Sequence, residues 1–156
     1  MKKWTQAGVF FLMFLLIACG KNSEVDSQVQ EAFSKRFPDA QKVTWGKENS
    51  EEWEAEFEQN QQEFSANFNT DGKWLETEAA IPMEQLPQKI SEAVKSDFSE
   101  AQIHKTFKIE QPNEFFYELE LQQDNREIEV LYKESGELLE QKIVQQIEEY
   151  HQEGDD

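Results

Sequence analysis

The sequence predicts an α+β fold: two tandem helix-plus-four-strand repeats whose strands form one broad antiparallel sheet, with the helices on one face and the other face open to water. Three observations lead there. First, the chain resembles itself: Val29–Phe37 (VQEAFSKRF) aligns with Ile90–Phe98 (ISEAVKSDF) at an offset of 61. Farther on, Trp53, Ala55, Phe57, Phe64, Ala66 and Phe68 align with Tyr117, Leu119, Leu121, Ile128, Val130 and Tyr132 at an offset of 64. Second, in each copy the apolar spacing switches from helical to alternating. Third, Gly72 and Gly136 occupy matching turns. A unit recurring in this order cannot bury its apolar face alone and stacks against its copy.

The elements follow in order. Val29, Ala32, Phe33 and Phe37 recur at helical spacing and end at Pro38, which cannot continue a helix. Val43 and Trp45, then Trp53, Ala55 and Phe57, then Phe64, Ala66 and Phe68 alternate with polar residues, the mark of half-buried strands. Asn60-Gln61 makes the first hairpin turn, and Thr70-Asp71-Gly72-Lys73 the next, where glycine supplies positive φ. Trp74 and Leu75 are adjacent, so only one can face the core. The second copy opens with Pro87 in the first turn of a helix bearing Ile90, Ala93, Val94 and Phe98. The three residues that change the offset are expected in a loop at 110–114. The resulting division is a leader at 1–18, a tether at 19–27, repeats at 28–81 and 82–143, and an acidic tail at 144–156.

The leader has the layout of a secretory signal: Lys2-Lys3, an apolar run from Val9 to Ile17 too short to span a bilayer, then Ala18-Cys19-Gly20. Leu16-Ile17-Ala18-Cys19 resembles a bacterial lipobox, which implies cleavage after Ala18 and acylation of Cys19. More than one acyl chain on that residue makes a durable membrane anchor. Gly20 after the cysteine fits forwarding to the outer membrane, on its periplasmic side, with the cell surface as the alternative. Loss of Lys2 and Lys3 leaves 13 basic residues against 33 acidic ones, a net charge of −20. Such a surface repels nucleic acid and anionic headgroups, so partners are cationic or neutral. With Cys19 as the only cysteine, committed to lipid, no disulfide or thiolate metal site is available. Twelve Phe and four Trp distinguish the chain from an acidic disordered tail.

Arg36–Trp45 (RFPDAQKVTW), Glu54–Phe57 (EAEF), Asn69–Glu78 (NTDGKWLETE), Ile81-Pro82, Leu86-Pro87 and Leu131–Leu139 (LYKESGELL) stand in order over about 27–143. Together they resemble the PepSY-like, beta-lactamase-inhibitor-like (BLIP-like) secreted domains of Gram-negative bacteria. The second copy departs from the pattern, with Asp97-Phe98-Ser99-Glu100-Ala101 where the proline-containing motif belongs. The resemblance implies a binding module without a shared catalytic site, one that docks onto or inhibits another exported protein through its sheet.

The chemistry-bearing residues agree with a non-enzyme that needs no cofactor. There is no HExxH, no GxSxG and no phosphate-cradling glycine loop, and His104 and His151 lie far apart in sequence. His104 reads as a surface imidazole, and Trp45, Trp53 and Trp74 as core. The strand phase places Glu52, Glu54, Glu56 and Glu58 on the open face, with Glu118, Glu120, Glu127 and Glu129 beside them. Like charges facing one another on a sheet repel, and a partner offsets that cost. The candidate partner-binding residues are therefore Glu54, Glu56, Phe116, Glu118, Glu120, Glu129 and Leu131, the apolar pair serving as anchors. A basic patch on an exported or envelope protein suits this surface; the alternatives are a divalent-cation module without fixed loop spacing, and a merely solvating face.

Overall fold

The computed structural model describes residues 25–146. Helix α1 (Ser27–Arg36) precedes β1 (Gln41–Lys47), β2 (Glu52–Gln59), β3 (Gln62–Asn69) and β4 (Trp74–Ala80). A 3₁₀ turn at Met83–Gln85 leads to α2 (Gln88–Asp97), then β5 (Gln102–Gln111), β6 (Glu114–Gln123), β7 (Arg126–Lys133) and β8 (Leu138–Gln146). All eight strands form one antiparallel sheet in chain order, giving the predicted α+β class. Ala18, Cys19, most of the tether, His151 and the tail from 147 onward lie outside the described residues.

Each helix seals its own core on one face of the sheet. Val29 and Phe33 of α1 meet Trp53, Ala55, Phe57, Ala66 and Phe68, with Trp45 and Trp74 partly buried at the margin. Phe33 is the hub, its ring 5.1 Å from Phe57 and 5.2 Å from Trp45 in edge-on arrangements favoured by the ring quadrupoles. Ile90 and Val94 of α2 meet Tyr117, Leu119, Leu121, Ile128, Val130 and Tyr132. Tyr132 Oη donates to Asp97 Oδ2 at 3.1 Å, tying the end of α2 to the sheet.

The turns follow the predicted chemistry. Asn60 and Gln61 both take left-handed backbone, with φ of 52° and 65°, as a two-residue hairpin requires. Gly72 has φ 78°, and a Cβ there would lie 2.7 Å from the Gln28 carbonyl oxygen, so the turn packs backbone-to-backbone against α1. Gly136 has φ 87° and abuts the Lys89 carbonyl in α2 in the same way.

Several expectations need correction. The three additional residues form no long loop at 110–114: β5 and β6 run to 10 residues each against 7 and 8 for β1 and β2, and only Pro112-Asn113 separates them. Val43 is exposed, because a bulge at Lys42 (φ 53°) shifts the register between Gln41 and Thr44. Pro87 stands at the cap position just before α2 rather than inside its first turn.

The largest correction concerns the face away from the helices, which is not uniformly open to water. Glu118, Glu120, Glu129, Phe116 and Leu131 are all buried. The reason is curvature. Eight strands about 4.8 Å apart would hold β1 and β8 about 34 Å from one another in a flat sheet. Instead, Lys42 and Thr44 of β1 share one cavity with Lys142 and Ile143 of β8. The sheet curls around its helix-free face, and Ile109, Phe116 and Leu131, joined by Leu139, form a third apolar cluster on the inside of the curl.

Candidate functional site

Strand register decides which side chains meet on the concave face. On β4, Glu78 lies opposite Ser65 of β3 and Ile109 of β5, and Ile109 lies opposite Phe116 of β6. In the next row, Phe107, Glu118, Leu131 and Glu140 cross β5 to β8; in the row beyond it, Lys105, Glu120, Glu129 and Lys142 do so. Glu54 reaches the same face through Asn67 and Glu76. All seven predicted partner-binding residues therefore share one face of the sheet, but with unequal access. Glu56 is exposed, Glu54 half-buried, and the other five buried.

The two rows differ in charge compensation. Glu120 and Glu129, directly opposed, are bracketed by lysines: Lys105 Nζ lies 3.0 Å from Glu120 Oε2, and Lys142 faces Glu129 across the β7–β8 pair. Glu118 has no such bracket, with Phe107 on one side and Leu131 on the other. Burial, followed by the fields of Glu78, Glu129, Glu120 and Glu76, pushes its carboxyl up to about 9, so it is protonated at neutral pH. Burial and then Glu76, Glu54, Glu129 and Glu120 raise Glu78 to about 7. Burial, with Glu48, Glu56 and Glu76, does the same to Glu54. Glu129 is raised by burial, an effect the Lys142 ammonium opposes. These carboxyls form one electrostatically coupled chain from β2 to β7.

Beside this chain the curl encloses a groove of about 1210 Å³. Glu56, Glu63 and Glu78 line it together with Phe64, Phe107 and Ile143, and Lys42, Lys105 and Lys142 contribute positive charge. Its mixture of apolar and charged walls suits an amphipathic protein segment. His104 is exposed at a bulge in β5 where the register slips between Ile103 and Lys105, and it also lines the groove. Trp53 is core, as predicted; Trp74 pairs with Phe68 while the bulge turns Leu75 out of phase.

Sequence reasoning missed Glu76, Glu78, Phe107 and Ile109, and the bracketing Lys105 and Lys142. The Glu-Thr-Glu alternation at 76–78 was a usable signal, but the adjacent Trp74-Leu75 concealed its phase. No group of three or more His, Cys, Asp or Glu side chains is gathered for metal ligation among the described residues.

Comparison with solved structures gives the same fold at low sequence identity. A DUF2874 family protein from Bacteroides ovatus is 23% identical with a TM-score of 0.70, covering 78% of this chain and 89% of that one. A structure from Bacteroides eggerthii described as "putative periplasmic proteins" is 18% identical with a TM-score of 0.71, covering 78% and 90%. A BLIP-like protein from Bacteroides fragilis is 23% identical with a TM-score of 0.65, covering 80% and 89%. No curated protein matches the sequence. The family model described as "Putative beta-lactamase-inhibitor-like, PepSY-like" matches residues 51–140, so the chain belongs to the PepSY-like family.

Proposed function

We propose that this protein is a non-catalytic binding module that docks onto, and restrains, another exported protein such as a peptidase or cell-envelope enzyme, through the concave face of its sheet. The observation that carries this reading is the groove inside the curl, which Glu56, Glu63 and Glu78 line together with Phe107, Lys42, Lys105 and Lys142. Membership in a beta-lactamase-inhibitor-like family and the likeness to a BLIP-like structure support it. The raised carboxyl of Glu118 is no sign of catalysis, because the residue is 2% exposed and does not line the groove.

We also read the two halves, 28–81 and 82–143, as copies of one unit, supported by matching glycine turns against α1 and α2 and by bulges early in β1 and β5. Anchoring through acylated Cys19 places the module at the outer membrane, facing the periplasm; mass spectrometry of the mature amino terminus tests this, and an unacylated start refutes it. Docking is tested by photo-crosslinking in intact cells from positions 44 and 107 in the groove and from position 95 on α2. The same protein captured from 44 and 107 but not from 95 is the expected result. Capture from 95 alone, or from none of the three, refutes a concave docking face.

A further inference from the structure

Two carboxyl oxygens on the concave face have no hydrogen-bond partner: Glu118 Oε2 and Glu129 Oε2. Their residues are only 2% and 7% exposed. A buried polar oxygen left unpaired is costly, and native interiors retain few of them. Both residues line a gap with Leu131, Glu140 and Lys142, whose volume of about 10 Å³ is that of a single water. Lys142 is the one charged residue common to this gap and the large groove. It is exposed, lies on the edge strand β8, and faces Glu129 across the sheet.

We propose that Glu118 and Glu129 form a seat for one cationic side chain, arginine or lysine, of the docked partner, and that Lys142 guards it. This rests on the concave face being the docking surface. Charge selects the occupant: the chain carries a net charge of −18, and the seat lies among Glu78, Glu120 and Glu140 as well. Size selects the mechanism. A guanidinium or ammonium cannot enter a water-sized gap unless Lys142 swings out, which an exposed lysine on an edge strand does at little cost. The incoming cation then takes over the compensation that Lys142 now gives Glu129 and donates hydrogen bonds to the two unpartnered oxygens, Glu118 releasing its proton to solvent as the cation arrives.

The test titrates the full mature chain with acetylated tetra-arginine amide at low ionic strength, followed by calorimetry. The controls sit on the helix side and remove at least as much charge: Glu84→Gln with Glu92→Gln, and Lys95→Ala. Glu118→Gln with Glu129→Gln is expected to weaken binding by about tenfold or more, as for a lost charge-assisted hydrogen bond. Lys142→Ala is expected to strengthen binding several-fold beyond the Lys95→Ala control. Equal losses from the seat and control glutamines would mean diffuse attraction and overturn the proposal. So would a Lys142→Ala effect no larger than that of Lys95→Ala, or no binding to the parent chain. Crosslinking reads whether the face docks a protein at all, whereas this titration reads only the seat, so the seat can fail while the docking face stands and the two failures are told apart.

Discussion

Replacing Glu118 by glutamine keeps the shape of a buried side chain while removing its titration. The unfolded carboxyl titrates near 4.5 and the folded one at about 9. At pH 7, folding therefore loads a proton onto a group that is ionised in the unfolded chain. The penalty is about 1.4 kcal/mol for each pH unit above the unfolded value, or about 3 kcal/mol at pH 7. The amide carries no such penalty, so Glu118→Gln is expected to stabilise the protein by roughly 1–3 kcal/mol at pH 7, the lower bound allowing for imperfect amide packing. For a domain of this size that raises Tm by roughly 5–10 °C. The sign with pH follows directly. A carboxyl whose pKa is raised by folding contributes its stability below the unfolded value and loses it as pH climbs through the folded one. Parent stability should therefore decline from pH 4.5 through 7, where Glu54 and Glu78 ionise, to 9, where Glu118 does. The groups facing Glu118 are Glu76 and Glu78 of β4, Lys105 of β5, Glu120 of β6, Glu129 of β7, and Glu140 and Lys142 of β8. Urea unfolding at pH 5, 7 and 8.5 reads the effect. A Glu118→Gln advantage that fails to grow with pH would refute the argument that the carboxyl is buried in neutral form.

Further outcomes follow from the packing. Gly72→Ala forces a Cβ to within 2.7 Å of a carbonyl oxygen at positive φ, and should cost about 2 kcal/mol in urea unfolding, whereas Gly46→Ala, with nothing within 4 Å, should stay within about 0.5 kcal/mol of the parent. Tyr132→Phe removes the hydrogen bond to Asp97 without altering the core shape, and is expected to lower stability by about 1 kcal/mol by the same assay. Millimolar Ca²⁺ is expected to leave Tm unchanged, since specific binding would raise it by mass action; a clear rise would favour the divalent-cation module over the protein-docking one.

The fold class was legible because the apolar pattern reports which residues meet the helices. Val29, Phe33, Ile90 and Val94 stand at helical spacing, and Trp53, Ala55 and Phe57 at strand spacing, and all are buried accordingly. What the pattern cannot report is curvature. Alternation assigned Glu118, Glu120 and Glu129 to the correct side of β6 and β7 but implied water there, because a periodicity of two is blind to whether a sheet lies flat or curls. Bulges were equally hidden. One extra residue at Lys42, Leu75 or Leu139 reverses the phase beyond it, which is why Val43 was misplaced and Glu78 overlooked. The candidate site was thus half read: its β2, β6 and β7 residues came from the alternation, while those of β4, β5 and β8 needed the register.

The order of the strands across the sheet, identical to their order along the chain, bears on how the protein reaches its native state. Every ladder joins nearest neighbours, and the longest link, from β4 at Ala80 to β5 at Gln102, is shortened by α2. Contact order is therefore low for so large a sheet, and the entropy lost in closing each loop stays small. A chain delivered amino end first can zip up one hairpin at a time, so that each new strand finds its template already laid down.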